Sequence, residues 1–146
     1  MKINLRKAEE TDKKDILRIA DELYLDIPDF VWNKDEFVSR QIENGGYYIG
    51  EVGGEPAGII SLRQRRKKMY VETLAVAKKY RNNGIGSELI KFAKNYTKER
   101  GLSILLACSF YEYELLNFYL GQGFSLLKNP GIYNGRKYHC FEMKVN

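Results

Sequence analysis

The chain alternates short apolar segments with glycine-rich breaks, and the spacing of the apolar positions predicts its first elements. Residues 2–7 alternate polar and apolar side chains, which is typical of a strand. Apolar positions then recur at three- and four-residue spacing through residues 11–24, which predicts a helix capped by Thr11. A second helix is predicted after Asn33, with acids in its first turn and an end at the glycines of residues 45–46.

The middle of the chain is predicted to form three strands joined by short turns. The strands cover residues 47–52, 57–62 and 69–76, and the glycine pair at 53–54 forms a hairpin turn. Residues 84–99 follow with an apolar stripe at helical spacing. These strands follow one another without a helix between them, so they are expected to be antiparallel.

The last third adds one helix and three strands. A continuous apolar run, residues 102–107, is typical of a strand covered on both faces. Residues 112–120 are predicted as a helix, residues 124–127 as a short strand, and residues 137–145 as a final strand after an Asn-Gly turn. The predicted order is β-α-α-β-β-β-α-β-α-β-β, an α/β mixture.

Length and composition indicate one globular domain over residues 1–146. The chain is 44% hydrophobic and 29% charged, which is ordinary for a folded protein. No apolar run approaches the roughly 18 residues of a membrane span. The first residues, 1–7, lack the apolar block of a signal peptide. We therefore expect a cytoplasmic protein that does not bind membranes.

The cysteines and the histidine argue against a disulfide and a metal site. Cys108 and Cys140 are the two cysteines, and neither belongs to a Cys-x-x-Cys pattern. Disulfides are rare in the cytoplasm, so we expect both residues to be small buried hydrophobes in strands. His139 is the single histidine, so no metal site is expected.

The densest basic run lies at residues 63–68, in a chain of net charge +5. A run of this kind is able to contact nucleic acid. More often it is a solvated turn between strands, and that is our expectation here. A nucleic-acid-binding domain stays open as an alternative, although it explains nothing about the glycines that follow.

A glycine-containing loop, Arg-Asn-Asn-Gly-Ile-Gly-Ser at residues 81–87, separates a predicted strand from a predicted helix. Glycines let backbone N–H groups close around an anion, and the helix N-terminus adds partial positive charge. A Walker A loop would need a lysine directly after Gly86, and this chain has none there. A Rossmann fingerprint would need a small residue at the position of Leu89. Neither of these two phosphate-binding motifs is therefore present. The loop is therefore a candidate diphosphate site, or a tight turn without a ligand.

Two motifs together resemble the GNAT superfamily of acetyl-CoA-dependent N-acetyltransferases. The first is Val-Glu-Thr-Leu-Ala-Val at 71–76 followed by residues 78–87, and the second is Asn-Phe-Tyr at 117–119 followed by Gly-Gln-Gly-Phe at 121–124. The resemblance covers nearly the whole chain. It implies a mixed, mostly antiparallel sheet of about seven strands flanked by four helices and splayed between the fourth and fifth strands.

The resemblance implies acetyl-CoA as co-substrate and assigns its contacts. Backbone groups of Leu74, Ala75 and Val76 would pair with the pantetheine arm like a neighbouring strand. Asn117 and Tyr119 would lie near its reactive end. The residues implied to surround the diphosphate are Arg81, Asn82, Asn83, Gly84, Ile85, Gly86 and Ser87. Many relatives have asparagine where this chain has Glu112, and a carboxylate cannot donate a hydrogen bond to the arm.

Two residues are candidates for the proton transfers. Glu72 is the candidate base, because an alkylamine arrives mostly protonated and Glu72 shares its strand parity with Leu74 and Val76. In spermidine/spermine-type acetyltransferases, which this stretch resembles, an acid at this position has such a role. Tyr119 is the candidate acid for the departing thiolate. The alternatives are a salt-bridged strand glutamate and a packed aromatic.

The acceptor is left open by the sequence. By resemblance, the segments 24–32 and 131–137 would line its site, with Tyr24, Asp26 and Trp32 as candidate lining residues suited to a cationic or partly aromatic amine. A polyamine, an amino sugar, an amino acid and a peptide terminus all remain open. So does a non-catalytic acyl-CoA-binding or regulatory module. Family members often dimerise, which leaves a homodimer open.

Overall fold

The computed structural model describes residues 2–146, and Met1 of the predicted domain lies outside the described residues. Residues 2–146 form four α-helices and eight strands. The helices are α1 (Lys13–Ala20), α2 (Asp35–Glu43), α3 (Ile85–Glu99) and α4 (Leu116–Gly121). The strands are β1 (Asn4–Lys7), β2 (Tyr47–Val52), β3 (Glu55–Arg65), β4 (Lys68–Val76), β5 (Ile104–Phe110), β6 (Ser125–Leu126), β7 (Gly131–Tyr133) and β8 (Arg136–Lys144).

All eight strands belong to one mixed sheet. Its order is β1-β2-β3-β4-β5-β8-β6, and β7 also pairs with β8. Within the described residues β4 and β5 form the one parallel pair, because α3 crosses over between them. The predicted architecture, a mostly antiparallel sheet flanked by four helices, is confirmed, with β7 as a strand that we did not predict.

Helices cover the sheet on both faces. Tyr47 and Tyr48 are adjacent in β2, so their side chains point to opposite faces. Tyr48 packs against Phe92 and Tyr96 of α3, at ring-centroid distances of 4.6 and 5.5 Å. Tyr47 is fully buried on the other face. The core therefore has two layers, one on each side of the central strands.

Two predicted helix starts are wrong. A capping box between Glu9 and Asp12 begins a short 3-10 turn ahead of α1, so Thr11 lies inside the turn instead of capping it. The N-cap of α2 is Lys34, not Asn33. Asn33 instead donates from Nδ2 to Asp21 at 2.9 Å. At Asn33 a tertiary contact takes the side chain that local preference assigns to the cap, whereas at Thr11 the capping box of Glu9 and Asp12 begins the helical segment two residues earlier.

The last predicted helix also begins later than expected. Residues 111–113 form a 3-10 turn, and Glu114 then adopts a left-handed backbone with φ 53°. That conformation interrupts the helix. As a result α4 begins at Leu116 and contains six residues.

The sheet splays between β4 and β5, as predicted. Their parallel ladder ends at the pair Val71 and Ala107, although both strands continue. On the other side of β4, the register with β3 shifts because Glu72 is the extra residue between Val71 and Thr73. Such a β-bulge bends a strand and increases its twist. The bulge therefore coincides with the point where β4 leaves β5.

The two cysteines contradict the prediction. Cys108 of β5 lies directly opposite Cys140 of β8, with a Cα–Cα distance of 4.2 Å, and the two are joined as a disulfide. Cys108 is exposed and Cys140 is half-buried, so neither is a small buried hydrophobe. The error has a simple cause: residues 32 apart in sequence become cross-strand neighbours only once the register is fixed.

The basic run forms the hairpin between β3 and β4. Residues 63–68 are exposed, and Arg66 turns the chain with φ 55°. This placement is the solvated turn that we expected. Over residues 2–146, no helix is long and apolar enough to cross a membrane. The same range contains no cluster of three or more potential metal ligands.

Candidate active site

The gap between β4 and β5 opens into a cavity of about 400 Å³. Its walls include residues 70–74 of β4 and residues 108–110 of β5. Trp32, from the connection between α1 and α2, and Tyr119 of α4 also line it. The splay therefore brings four separate parts of the chain to one space.

The loop before α3 has the backbone of an anion-binding turn. Asn82 and Gly84 are both left-handed, with φ 65° and 77°. The fifteen-residue α3 begins directly after Gly84, and no side chain from residues 2–146 caps that end. The N–H groups of its first turn, from Ile85, Gly86 and Ser87, therefore remain available to bind an anion.

Asn83 fixes the conformation of this loop. Its Nδ2 donates hydrogen bonds to the backbone oxygens of Tyr80 (3.2 Å) and Arg81 (3.0 Å). An asparagine that bonds its own backbone in this way stabilises a turn. The role that the structure supports for Asn83 is therefore shaping of the loop.

Gly86 has a different role from Gly84. Its backbone is helical, and a Cβ atom there would lie 3.2 Å from two ring atoms of Phe118. On the same helical turn, Ser87 Oγ accepts a hydrogen bond of 2.8 Å from Gln122 Nε2. The two sequence motifs thus contact each other directly, and the missing side chain at position 86 makes that contact possible.

Arg81 is engaged with protein groups. Its Nη2 lies 2.8 Å from a carboxylate oxygen of Glu22, and its Nε donates to the backbone oxygen of Val76 at 3.3 Å. The guanidinium side chain is half exposed. Arg81 therefore links the diphosphate loop both to the end of β4 and to the segment that follows α1.

The end of β4 offers unpaired backbone to a ligand. β3 occupies one edge of β4 through Val76, while pairing with β5 stops at Val71. Leu74 lines the cavity, and Ala75 is buried. Asn117 lies exposed in the first turn of α4. Beyond Val71, no described strand pairs with this edge of β4, so it is open to an extended ligand apart from the Val76 oxygen that Arg81 contacts.

Tyr119 is buried but reaches the cavity wall. Its ring stacks on Phe141 with centroids 4.7 Å apart and meets Phe124 edge-on at 5.4 Å. The residue is 3% exposed. Burial raises the pKa of the Tyr119 phenol above its ordinary value, so the hydroxyl is protonated and able to donate. Tyr119 is therefore a packed aromatic that also borders the cavity.

Glu72 lines the cavity as half of an ion pair. Its carboxylate lies 3.2 Å from Arg65 Nη2, and the Arg65 guanidinium lies over the ring of Tyr70 at 5.2 Å. Although the pairing with β3 shifts at Glu72, the burial of β4 still alternates: Glu72, Leu74 and Val76 are all half-buried, as their shared parity predicts. The contact with Arg65 further fixes the Glu72 side chain.

The three residues predicted to line the acceptor site have separate positions. Trp32 lines the cavity. Tyr24 and Asp26 are exposed and do not belong to the described cavity wall, and the Tyr24 hydroxyl lies 3.2 Å from Asp26. Tyr24 also packs edge-on against Phe30. The structure therefore does not bring Tyr24 and Asp26 to the space that Trp32 borders.

The two segments that contribute Trp32 and Tyr133 to the cavity wall are joined by hydrogen bonds, and we call their contact the roof. The Tyr133 hydroxyl donates to the backbone oxygen of Asp29, and Asn134 Nδ2 donates to the backbone oxygen of Pro28, each at 2.6 Å. These bonds join the β7–β8 hairpin to the α1–α2 connection. Phe110 and Tyr133 pack edge-on against Trp32 at 5.8 and 5.5 Å, so aromatic rings lie beneath the roof.

Glu112 is paired with the same hairpin. Its carboxylate accepts a hydrogen bond from Arg136 Nη1, and this bond lowers the pKa of the Glu112 carboxyl. The side chain is about one-third exposed. Glu112, which we considered for its effect on the cofactor arm, thus holds β8 against the turn after β5.

Several cavity residues were missed in the sequence. They are Arg65, Tyr70, Phe110 and Tyr138, from four different strands, whereas Tyr133 lies in the segment 131–137 that we expected to line the acceptor site. In a chain with eleven tyrosines and seven phenylalanines, aromatic identity alone singles out none of them. Strand register is the signal that would have identified them, and a single sequence does not provide it.

A family model described as the acetyltransferase (GNAT) family matches residues 14–124. The match covers most of the chain, including β4, the diphosphate loop and Tyr119. The chain therefore belongs to the GNAT acetyltransferase family.

Known relatives agree with that assignment. An uncharacterized N-acetyltransferase from Archaeoglobus fulgidus is 25% identical over 115 residues, which are 70% of this chain and 78% of that protein. Ard1 from Thermoplasma volcanium has the same fold, with a TM-score of 0.84, 18% identity and coverage of 100% of this chain and 99% of that one. PaiA N-acetyltransferase from Thermoplasma acidophilum, solved in complex with coenzyme A, has a TM-score of 0.78, 18% identity and 99% coverage of each chain.

Proposed function

We propose that this protein is an N-acetyltransferase that transfers acetyl directly from acetyl-CoA to a primary amine. The observation that carries the proposal is the cavity at the splay, because Glu72 and Tyr119 both line it. It shares Leu74 with the strand edge that suits the arm of the donor. The family assignment and the coenzyme A complex of a structural neighbour support the choice of donor.

The donor site fits a diphosphate followed by an amide-containing arm. The uncapped first turn of α3 supplies N–H groups to the diphosphate. The edge of β4 that lacks a strand partner beyond Val71 supplies backbone groups from residues 74–76 to the arm, in the way that a sheet accepts an added strand. Leu74 also lines the cavity, so an arm bound along this edge reaches the cavity wall.

Glu72 is the proposed base. An alkylammonium ion has a pKa near 10.4 and must lose a proton before its nitrogen is nucleophilic. Glu72 is the one carboxylate on the described cavity wall, and its pairing with Arg65 leaves its second oxygen without a partner among residues 2–146. It therefore accepts the proton of the amine, directly or through water.

Tyr119 is the proposed hydrogen-bond donor to the leaving sulfur. Reference pKa values of about 10 for a phenol and about 8.5 for a thiol make full proton transfer uphill in water. Burial of Tyr119 raises its pKa further. Tyr119 therefore stabilises the developing thiolate by donating a hydrogen bond, and the sulfur takes its proton from solvent or from the proton lost by the amine.

The reaction is balanced with these groups alone. The amine nitrogen attacks the acetyl carbon, the C–N bond forms, and the C–S bond breaks. One proton leaves nitrogen and one reaches sulfur, so no oxidant, reductant or acyl-enzyme is required. Cys108 is not needed as a nucleophile, and its sulfur is in the disulfide with Cys140.

Thermal melting with acetyl-CoA tests the donor first. At a ligand concentration about 100 times the dissociation constant, binding adds about 2.7 kcal/mol of stability. Release of free thiol in the presence of a panel of amines then tests transfer. A melting shift without thiol release for any amine would favour a non-catalytic acyl-CoA-binding module, and the absence of a shift would contradict both functions.

A further inference from the structure

The acceptor end of the cavity is aromatic and carries no net charge. Trp32, Phe110, Tyr133 and Tyr138 line it and contact one another edge-on, and we call them the aromatic chamber. Among the described residues of the wall, Arg65 and Glu72 are the charged ones, and they neutralise each other at 3.2 Å. The chamber therefore favours an apolar, flat ligand.

Charge argues against a polycationic acceptor. A polyamine carries several ammonium groups, and each is stabilised by a carboxylate that has no other charged partner. Asp26 is exposed and lies outside the described wall. The ring of Tyr70, which borders the cavity, already has the Arg65 guanidinium over it. Within residues 2–146, this wall carries no second anionic group that could pair with a second ammonium group.

The roof argues against a polypeptide acceptor. Tyr133 and Asn134 join the β7–β8 hairpin to the α1–α2 connection through two hydrogen bonds to residues 28 and 29. An extended peptide that passed between these two segments would have to break both bonds. A cavity of about 400 Å³ must also hold the thioester end of the donor. The remaining space suits an acceptor of about one ring.

We infer that the acceptor is a small primary amine joined to a single aromatic ring by a short linker, with its ring in the aromatic chamber. This inference rests on the proposed function, because the amine must reach the thioester. It goes beyond that function in assigning the acceptor class. Ring–ring contacts of the edge-on type favour an aromatic ligand over a saturated one of the same size.

The first experiment measures binding and does not depend on turnover. Trp32 is the single tryptophan of the chain and lines the chamber, so its fluorescence reports occupancy. We titrate 2-phenylethylamine, 2-cyclohexylethylamine and a tripeptide with a free N-terminus into protein saturated with coenzyme A. We expect 2-phenylethylamine to bind about 3- to 10-fold more tightly than its saturated analogue. Equal affinities for the two rings would overturn the inference.

The second experiment opens the roof. The variant Tyr133→Phe/Asn134→Gly removes both donors while keeping the ring at 133, and glycine suits the left-handed backbone at 134 (φ 47°). We expect kcat/KM for the tripeptide, relative to 2-phenylethylamine, to rise about tenfold. Ile132→Ala is the matched control, since Ile132 is 67% exposed and outside the described wall.

The outcomes separate the inference from the proposed function. Preferential binding of 2-phenylethylamine without thiol release from any amine would contradict the proposed function and support the assignment of the ligand class. Thiol release with the tripeptide or a polyamine at a kcat/KM equal to or above that of 2-phenylethylamine would support the function and overturn the inference. A roof variant with unchanged selectivity would also overturn it, because the roof would then not exclude peptides.

Discussion

The proposed donor side and the proposed acceptor side of the cavity are built in different ways. The donor side comes from one continuous stretch, the end of β4, the loop at residues 81–87 and the start of α3, and it works largely through backbone groups. The acceptor side combines segments that are distant in sequence, and it works through side chains. A diphosphate site that works through backbone groups tolerates much sequence change. A chamber built from side chains instead determines which acceptor a particular protein takes.

Between the two sides lie the residues proposed to act on the reacting atoms. Tyr119 comes from α4, and Glu72 comes from the bulge where β4 leaves β5. We therefore expect variants of Tyr119 and Glu72 to reduce turnover, and variants of the loop at residues 81–87 to reduce donor affinity. Variants of the β7–β8 hairpin are expected to leave both turnover and donor affinity largely intact.

The largest expected effect is that of Tyr119→Phe. Loss of the hydroxyl removes the donor to the leaving sulfur, so kcat should fall about 100-fold. The dissociation constant for acetyl-CoA should stay within about twofold, because the ring and its stacking on Phe141 remain. Steady-state kinetics and a binding titration test the two parts.

Tyr111→Phe is the control for this variant. Tyr111 is 40% exposed and lies outside the described cavity wall, so loss of its hydroxyl should not change kcat. Full turnover of Tyr119→Phe on a confirmed acceptor would show that Tyr119 is a packed aromatic only.

Glu72→Gln should lower kcat/KM by about 10- to 100-fold at neutral pH. The loss should shrink as pH rises, because a growing fraction of the amine then arrives without its proton. A pH–rate profile of both enzymes measures this convergence. A loss that stays constant with pH would instead assign Glu72 a role in positioning Arg65.

Glu142→Gln is a matched control for Glu72→Gln. Glu142 is also a strand glutamate in an ion pair, with Lys68 at 3.6 Å, and it does not line the cavity. Its substitution should leave the pH–rate profile unchanged. Equal losses in the two variants would mean that ion pairing, not base catalysis, explains the effect.

Gly86→Ala should weaken acetyl-CoA binding about fivefold and leave acceptor affinity unchanged. The new Cβ atom would lie 3.2 Å from the Phe118 ring, so the ring or the first turn of α3 must shift. Calorimetric titration with acetyl-CoA measures the loss. Adding Phe118→Leu should restore part of the affinity, and failure to do so would show that Phe118 is not the group displaced.

The smallest effect is expected for Glu112→Gln, whose ion pair with Arg136 holds the hairpin. The Glu112 pKa is lowered in the folded protein, so the pair stabilises the fold above the unfolded pKa near 4.3 and loses this effect as pH falls through the lower folded value. The melting temperature of the variant should be slightly lower at neutral pH and match the wild type in strong acid. A difference that persists in acid would contradict this assignment.

Much of the fold could be predicted because its signals are local. The stripe of α3, the alternation of β1 and the glycine turns follow from neighbouring residues. The errors lie where a non-local contact competes with a local preference, as at Asn33, whose side chain bonds Asp21 instead of capping α2. β7 was missed because its three residues are too few to show an alternation.

The sequence by itself indicated the family and the proposed donor side of this protein, because a backbone loop and a helix N-terminus need only a short run of suitable residues. The tertiary structure alone decided the arrangement of the proposed acceptor side. It set the bulge at Glu72, the pairing of Cys108 with Cys140, and the approach of Tyr133 to Asp29. Each of these depends on strand register or on contacts between residues far apart in the chain, and neither property is encoded in any local pattern.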